Sequence, residues 1–355
     1  MSQSLNLAQR LARPELLTLE PYQSARRIGG EGQVWINANE SPFNNSDLLG
    51  LNRYPECQPA ELINAYAQYA GVTPNQVLTS RGADEAIELL IRTFCTPGED
   101  SIACFGPTYG MYAISAQTFN VGVNALRLTS DYQLPSDIVT QVGDAKIVFI
   151  CNPNNPTGTV IAPELIEQVI KAMPDKLVVV DEAYIEFCAS FSVANLIERY
   201  ENLVVLRTLS KAFALAGARC GFMLANPEVI EMVMRVIAPY PVPLPVSVLA
   251  CQALSPTGIE TMKTQVAQLK QNGLRLTEAL MRMGATVLPA HGNFILASFE
   301  DVALVQSALK QAGVVARAYK DPALASSVRF SFASDEQTDL IIEQLIDLLI
   351  KIKSQ

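Results

Sequence analysis

Short apolar runs alternate with amphipathic stretches through the middle of the chain, and this alternation constrains the fold more than any other feature. The runs have the length and composition of buried strands, and the stretches between them have helical spacing. The predicted strands are Val77–Ser80, Ser101–Cys104, Lys146–Cys151, Leu177–Val180, Leu203–Leu206 and Cys220–Leu224, and the predicted helices include Asp84–Phe94, Pro107–Thr118 and Ala162–Ala172. Apolar strands that alternate with helices predict an α/β fold with a mostly parallel sheet covered on both faces.

The pattern changes after Pro239, where alternate prolines as far as Pro245 indicate a loop. A long helix is predicted from about Gly258 to Met283, and shorter strands and helices follow it. These are Phe294–Phe299, Val302–Gln311, Val314–Tyr319, Val328–Phe332 and a final helix for which Ser334 is a plausible N-cap. The last third of the chain therefore predicts a small α+β domain.

Composition excludes several classes of protein. The 355 residues are 49% hydrophobic and 17% charged, unlike a disordered chain. The net charge of −9 argues against a protein that coats nucleic acid or an anionic membrane. The seven scattered cysteines contain no C-x-x-C pair, so we expect no disulfide framework and a reducing, cytoplasmic setting. The N-terminus lacks an apolar signal-peptide core, and no apolar run is long enough to span a membrane.

The chain has a single histidine, His291, in a turn-like segment where we expect a structural or solvent-facing role. Metal sites that need two histidines are therefore excluded, and we expect no metal. A Ser-His-Asp triad would depend on this one residue. If the protein is an enzyme, its proton-transfer group is expected to be Lys, Asp, Glu or Tyr.

Polar motifs follow several predicted strands, where ligands bind in open α/β sheets. Gly82-Ala83-Asp84 begins a helix and can form an anion cup of free N–H groups, or be an ordinary glycine turn with Asp84 as the cap. The Asn152–Gly158 segment contains two Asn-Pro steps. It can form a rigid loop that directs Asn155 into a cleft, or a simple tight turn.

The other two motifs carry charges. Asp181 and Tyr184 follow the run Leu177–Val180, where a carboxylate needs a cation or a protonated heterocycle, although Asp181 could also cap the next helix. Lys211 follows Ser210 in an apolar segment, with Arg219 eight residues on. Desolvation lowers the pKa of such a lysine and allows it to form a Schiff base with a carbonyl, whereas a surface lysine would extend into solvent.

Together these motifs match the requirements of pyridoxal 5′-phosphate. Lys211 would take the aldehyde and Asp181 the pyridinium nitrogen. Asn155 and Tyr184 would contact the 3′ oxygen of the ring. The phosphate would be bound by the remaining group of residues, Gly82, Ala83, Asp84, Ser210 and Arg219.

The sequence resembles the fold-type I pyridoxal-phosphate-dependent aminotransferases, and within them the histidinol-phosphate aminotransferase family. The resemblance extends over most of the chain. It is carried by Pro21–Arg27, Asn37–Glu40, Leu51–Pro55, Ser80–Glu85, Pro107–Gly110, Asn154–Gly158, Asp181–Phe187 and Arg207–Gly221.

The resemblance implies further roles. Tyr109 would stack on the pyridoxal ring, and Tyr54 would reach the cofactor phosphate of the other subunit in a homodimer with a shared active site. Arg329 would bind the glutamate carboxylate or the substrate phosphate. Further substrate contacts would be Tyr22, Asn39 and Arg317.

The implied reaction transfers an amino group between L-histidinol phosphate and 2-oxoglutarate in histidine biosynthesis. The implied organisation has an N-terminal arm over 1–45, associated with the small domain and the dimer partner. A large cofactor-binding α/β domain follows over 46–255, and an interdomain helix with the small α+β domain occupies 256–355.

Three alternatives remain at the level of sequence. The chain could be an aminotransferase for aromatic or dicarboxylic amino acids, or a pyridoxal-phosphate-dependent decarboxylase of a phosphorylated amino acid. It could also be a cofactor-binding regulator without chemistry. A regulator would need a DNA-reading module, and no basic helix-turn-helix extension is evident, so the intact lysine, aspartate and arginine favour an enzyme.

Overall fold

The computed structural model describes residues 5–29 and 31–353. The strands are β1 Val77–Ser80, β2 Ser101–Gly106, β3 Gly122–Arg127, β4 Ile147–Cys151, β5 Leu177–Asp181, β6 Leu203–Thr208, β7 Gly221–Ala225, β8 Thr286–Val287, β9 Phe294–Ser298, β10 Arg317–Ala318 and β11 Ser327–Ser331. The α-helices are α1 Leu7–Leu11, α2 Ala25–Ile28, α3 Ala60–Ala70, α4 Ala83–Phe94, α5 Met111–Thr118, α6 Ile138–Val142, α7 Pro163–Ala172, α8 Pro227–Met234, α9 Leu244–Ala253, α10 Pro256–Arg282, α11 Val302–Gln311 and α12 Asp335–Lys353.

The large domain is built on a sheet of seven strands in the order β1-β7-β6-β5-β4-β2-β3. Strand β7 runs antiparallel to both of its neighbours, and the other paired strands are parallel. Strands β4, β5, β6 and β7 are almost completely buried because apolar clusters cover both faces of the sheet. This confirms the predicted α/β fold with a mostly parallel, doubly covered sheet.

The central strands end at one edge of this sheet. Cys151 at the end of β4 pairs with Asp181 at the end of β5, and Asp181 pairs with Leu206 near the end of β6. The loops that follow these strands therefore emerge side by side. This places three of the four sequence motifs at the edge where open α/β sheets bind their ligands.

Several local predictions differ from the structure. The predicted strand Val314–Tyr319 is reduced to β10, Arg317–Ala318, and strand β8 was not predicted. Strand β3 was not predicted, because it is an edge strand whose residues are half-buried or exposed and include Asn124. Helix α5 begins at Met111 rather than at Pro107, and the Pro107–Gly110 segment forms a turn before it. The turn has a functional consequence, because it brings Tyr109 to the edge of the sheet.

The small domain has an antiparallel sheet of four strands in the order β10-β11-β9-β8. Its core joins α10, the sheet and α12 through Leu276, Ile295, Val328 and Leu345. Phe332, which follows β11, packs on α10 so closely that a Cβ at Gly273 would lie 2.3 Å from its ring. The α+β architecture predicted for the last third of the chain is present.

Among the described residues of the predicted N-terminal arm, only the first part, residues 7–17, has packing contacts that bear on its predicted association with the small domain. Leu7, Leu11 and Leu16 are buried in the same apolar cluster as Val229 and Val233 of α8, which belongs to the large domain. The apolar spacing of α1 explains this packing, since its buried face needs a partner surface. The start of the predicted arm is therefore part of the large domain.

Candidate active site

A cavity of about 530 Å³ lies between the carboxyl edge of the large sheet and the small-domain sheet. The loops after β4, β5 and β6 and the first turn of α4 form one wall, and β10 and β11 contribute the other. The predicted site residues that line it are Ala83, Asp84, Tyr109, Asn155, Asp181, Tyr184, Ser210, Lys211, Arg219, Arg317 and Arg329. Residues remote in sequence are thus brought together around one space.

Asp181 is the last residue of β5, and only 2% of its surface is exposed. Burial raises the pKa of its carboxyl group to about 6. Two donors act in the opposite direction: the Tyr112 hydroxyl donates to Oδ2 at 2.7 Å, and the Ala183 N–H donates to Oδ1 at 3.1 Å. A buried carboxylate with both oxygens oriented is suited to face a cationic heteroatom in the cavity.

Lys211 lies in the loop after β6 and lines the same cavity as this carboxylate. Burial, followed by the charge of Arg329, lowers the pKa of its amine. The Nζ atom lies 5.4 Å from the centre of the Tyr184 ring, so an aromatic face flanks the amine. A lysine in these surroundings has a larger unprotonated fraction near neutral pH than an exposed lysine has.

An anion-binding cup lies at the other end of the cavity. Gly82 has φ +84° directly before α4, and a Cβ at that position would lie 2.7 Å from Nη2 of Arg219. Arg219, itself at φ 53°, donates from Nη1 to Oγ of Ser210 at 3.2 Å. Its Nη2 also pairs with Oδ2 of Asp84 at 3.1 Å. A helix N-terminus, a hydroxyl and a guanidinium therefore converge, as binding of a phosphate requires.

Close backbone packing fixes the position of this cup. Gly221 begins β7, and a Cβ on it would lie 2.5 Å from the carbonyl carbon of Gly82 and 2.6 Å from the nitrogen of Ala83. A side chain at Gly221 would therefore displace the first turn of α4. The sequence motif around Gly82 and the end of the Arg207–Gly221 motif are thus two halves of one structure.

Asn155 connects the two domains at the cavity. Its Nδ2 lies 3.4 Å from the Tyr184 hydroxyl, and its Oδ1 accepts a hydrogen bond of 2.6 Å from Nη1 of Arg329. Arg329 also lies over Phe294, with its guanidinium carbon 5.3 Å from the ring centre. Tyr109 is anchored separately, because its hydroxyl donates to Oδ1 of Asp84 at 2.8 Å. The polar groups of the cavity are therefore held in place by one another.

Tyr22, Asn39 and Tyr54 lie outside this cavity within the single chain. Tyr22 is 69% exposed and Tyr54 is 48% exposed. The Tyr54 ring stacks on Tyr240 at 4.4 Å, and Asn39 and Tyr54 border a separate surface depression. Their predicted contacts with substrate or with a neighbouring cofactor thus stay predictions.

Sequence reasoning did not identify two buried groups next to the site. Tyr112 lies on α5, three residues after Tyr109, and no sequence motif marked it. Arg207 pairs with Glu182 at 2.8 Å with both side chains buried, and Oγ of Ser192 bonds to both. This ion pair ties the end of β5 to the end of β6, which are the strands that carry Asp181 and Lys211.

No group of His, Cys, Asp and Glu side chains suited to a metal ion occurs within residues 5–29 and 31–353. His291 is half-buried, its ring meets Phe191 edge-on, and burial lowers its pKa. Within the same two ranges of residues, no helix is both long enough and apolar enough to cross a membrane.

Comparison with known proteins supplies the family. Residues 29–345 match the family described as aminotransferase class I and II. The chain is 66% identical over 349 residues to a histidinol-phosphate aminotransferase of Shewanella oneidensis, a match that covers 96% of this chain and 89% of the relative. It is 60% identical over 346 residues to the enzyme of the same name from Shewanella amazonensis, covering 96% and 95%.

The chain belongs to the histidinol-phosphate aminotransferase family. Two solved structures have the same overall fold as this chain. The histidinol-phosphate aminotransferase of Clostridium acetobutylicum superposes with a TM-score of 0.75 at 25% identity, covering 82% of this chain and 89% of that one. The histidinol-phosphate aminotransferase of Sinorhizobium meliloti, solved in complex with pyridoxal 5′-phosphate, has a TM-score of 0.78 at 21% identity and covers 99% of both chains.

Proposed function

We propose that this protein transfers an amino group between L-histidinol phosphate and 2-oxoglutarate, giving imidazole-acetol phosphate and L-glutamate in histidine biosynthesis. The observation that carries the proposal is the cavity itself. A lysine of lowered pKa, a buried carboxylate and an anion cup line one space of about 530 Å³. The relatives at 66% and 60% identity provide the specific reaction.

The residues of the cavity fit pyridoxal 5′-phosphate. The cup at the start of α4, with Ser210 and Arg219, suits its phosphate dianion, and Lys211 is the amine available to its aldehyde. Asp181 suits the ring nitrogen, Asn155 and Tyr184 suit the 3′ oxygen, and Tyr109 would lie against the ring. When bound, this cofactor supplies an electron sink that stabilises negative charge at the substrate carbon bearing the amino group.

Each remaining step is assigned to a side chain of this protein. Asp181 would place a negative charge next to the ring nitrogen of the bound cofactor, in a buried setting where such a pair is stronger than in water. Lys211 accepts and returns the proton of the reacting carbon through Nζ, for which a lowered pKa is suitable. Lys211 lines the cavity and His291 does not, so the geometry favours Lys211 over His291 as the group that transfers this proton.

The amino donor and the acceptor both carry an oxyanion, and one site must accept them in turn. Arg329 and Arg317 are direct cross-strand partners on β11 and β10, and both line the cavity. A guanidinium can bond to carboxylate or phosphate through two N–H groups. We therefore assign Arg329 to both substrates, and Arg317 with Tyr22 to the phosphate. Asn39 is proposed as a further substrate contact.

We also propose a homodimer in the cytoplasm, with an active site shared between subunits. Tyr54 is half-exposed and outside its own cavity, as a residue that reaches the cofactor phosphate of a second subunit would be. The surrounding segment is firmly held, because Glu40 accepts hydrogen bonds from Arg53 and from the Tyr54 N–H. The three-part domain division belongs to this proposal, except that residues 7–16 pack on the large domain.

The test is amino transfer by the purified holoenzyme. We expect glutamate to form from histidinol phosphate and 2-oxoglutarate, and Lys211→Ala to abolish its formation. Phenylalanine and aspartate as competing donors test the alternative aminotransferases, and release of carbon dioxide from a phosphorylated amino acid tests the decarboxylase. Faster transfer from either competing donor, or decarboxylation without transfer, would contradict the proposed reaction.

A further inference from the structure

We propose that Tyr112 is a positioning residue that acts through Asp181 to keep a shared proton on the ring nitrogen of the cofactor. The inference rests on the proposed function, because it takes Asp181 as the partner of that nitrogen. One proton lies between the two groups. It can reside on the ring, which leaves a carboxylate, or on Asp181, which leaves a neutral ring that is a weaker electron sink.

The geometry places Tyr112 where it can affect this balance. Its side chain is fully buried, and its hydroxyl donates to Oδ2 of Asp181 at 2.7 Å. Its ring is fixed by stacking on Phe149, with centroids 4.8 Å apart and an interplanar angle of 10°. The hydroxyl is therefore held by packing against the Asp181 carboxylate, the last residue of β5.

The direction of the effect follows from the chemistry of the contact. A phenol donates a stronger hydrogen bond to a carboxylate than to a neutral carboxyl group, so Tyr112 stabilises the ionised form of Asp181. Burial acts in the opposite direction, and the Ala183 N–H is the other donor that opposes it. Without Tyr112, the carboxyl group would bind a proton more strongly, and the shared proton would move from the ring towards Asp181.

A contact of this kind has a calculable size. A hydrogen bond to a charged group contributes about 1.5–3 kcal/mol, so its loss would shift the equilibrium of the proton between ring and carboxylate by about 10- to 100-fold. The nearby thiol of Cys151 does not replace the phenol, since burial raises its pKa to about 12 and leaves it a weak donor.

The test is nitrogen NMR of the holoenzyme reconstituted with pyridoxal 5′-phosphate labelled with ¹⁵N in the ring. We expect the wild-type resonance at the position of a protonated ring. Tyr112→Phe should move it towards that of an unprotonated pyridine, and Tyr112→Met should do the same. Phenylalanine keeps the stacked ring, and methionine fills the space with a flexible apolar chain, so neither provides a donor.

Tyr66→Phe is the matched control. Tyr66 is 1% exposed and stacks on Phe222 at 3.5 Å, so its substitution removes an equally buried hydroxyl from a stacked ring on α3. We expect the control to leave the nitrogen resonance unchanged. A general loosening of the core would move all three variants together, and that result would overturn the proposal.

The outcomes distinguish this inference from the proposed function. A protonated ring in the wild type and in both Tyr112 variants would overturn the role of Tyr112 alone. A neutral ring in the wild type would overturn the pairing of Asp181 with the nitrogen, and with it this inference. The measurement needs no amino donor, so an error in the substrate would not affect it.

Discussion

Arg329 and Arg317 should affect the two half-reactions differently, although they lie opposite each other on adjacent strands. Arg329 is partly buried, and its Nη1 is engaged by Asn155, whereas its Nε is buried and has no hydrogen-bond partner among the residues described. Its remaining donors can bind an oxyanion from the side. Arg317 is exposed, and its guanidinium carbon lies 6.0 Å from the centre of the Tyr319 ring.

Arg329→Lys keeps the charge but removes the planar fork and the bond to Asn155. Loss of one charge-assisted hydrogen bond to substrate costs about 1.5–3 kcal/mol, which is about 10- to 100-fold in kcat/KM. Because glutamate and histidinol phosphate both carry an oxyanion, we expect both half-reactions to be slowed by comparable factors. Arg317→Ala should slow the histidinol phosphate half-reaction by about 10-fold, at the lower end of that range because solvent screens an exposed charge.

The assay is single-turnover kinetics of each half-reaction, followed by the absorbance of the cofactor. Arg282→Ala is the control, since Arg282 is an exposed arginine at the end of α10 whose ion pair is with Glu278. We expect it to leave both half-reactions unchanged. Equal losses in both half-reactions of Arg317→Ala would refute its phosphate-selective role, and a loss confined to one half-reaction of Arg329→Lys would refute its dual role.

Three further predictions concern stability, assembly and pH. Glu182→Gln breaks a buried ion pair with Arg207 and should lower the free energy of unfolding, measured by denaturant titration, by about 3–5 kcal/mol. The control Arg199→Gln removes an exposed ion pair and should lower it by less than about 1 kcal/mol. Equal losses of stability in the two variants would contradict the buried pairing. Mixing inactive Tyr54→Ala with inactive Lys211→Ala should restore activity through hybrid dimers with one intact site, and hybrids that form without activity would exclude a shared site. Burial raises the pKa of Glu186 to about 7 and that of Asp181 to about 6, so these two groups bind more protons in the folded apoprotein than in the unfolded chain. The free energy of unfolding should therefore fall as pH rises from about 4 to about 7. If Glu186→Gln leaves the slope of unfolding free energy against pH unchanged, the assignment to Glu186 is contradicted.

Much of the fold could be predicted because its central strands are apolar along their whole length. The run Leu177–Val180 is short, apolar and rich in valine, which is typical of a strand buried on both faces, and the structure ends β5 one residue later at Asp181. Edge elements lack this signal. Strand β3 contains polar and exposed residues, and β10 has only two residues, both exposed, which pair with β11 at the edge of the small sheet.

The site shows a similar division between local and spatial information. Lys211, Asp181 and Asn155 stand at the ends of recognisable strands, so their convergence follows from the topology of a parallel sheet. Tyr112 lies within a helix, and its contact with Asp181 depends on how α5 packs across β4. The ion pair of Glu182 with Arg207 likewise joins residues 25 positions apart, so no local sequence pattern predicts it.

The central claim is that this cavity carries out amino transfer on a phosphorylated amine. The most direct measurement compares histidinol phosphate with dephosphorylated histidinol in single-turnover reactions of the wild-type holoenzyme without an acceptor. Because the guanidinium groups of Arg329 and Arg317 line the cavity, we expect removal of the phosphate to lower the second-order rate constant by at least about 100-fold. Equal rate constants for the two amines would contradict the account.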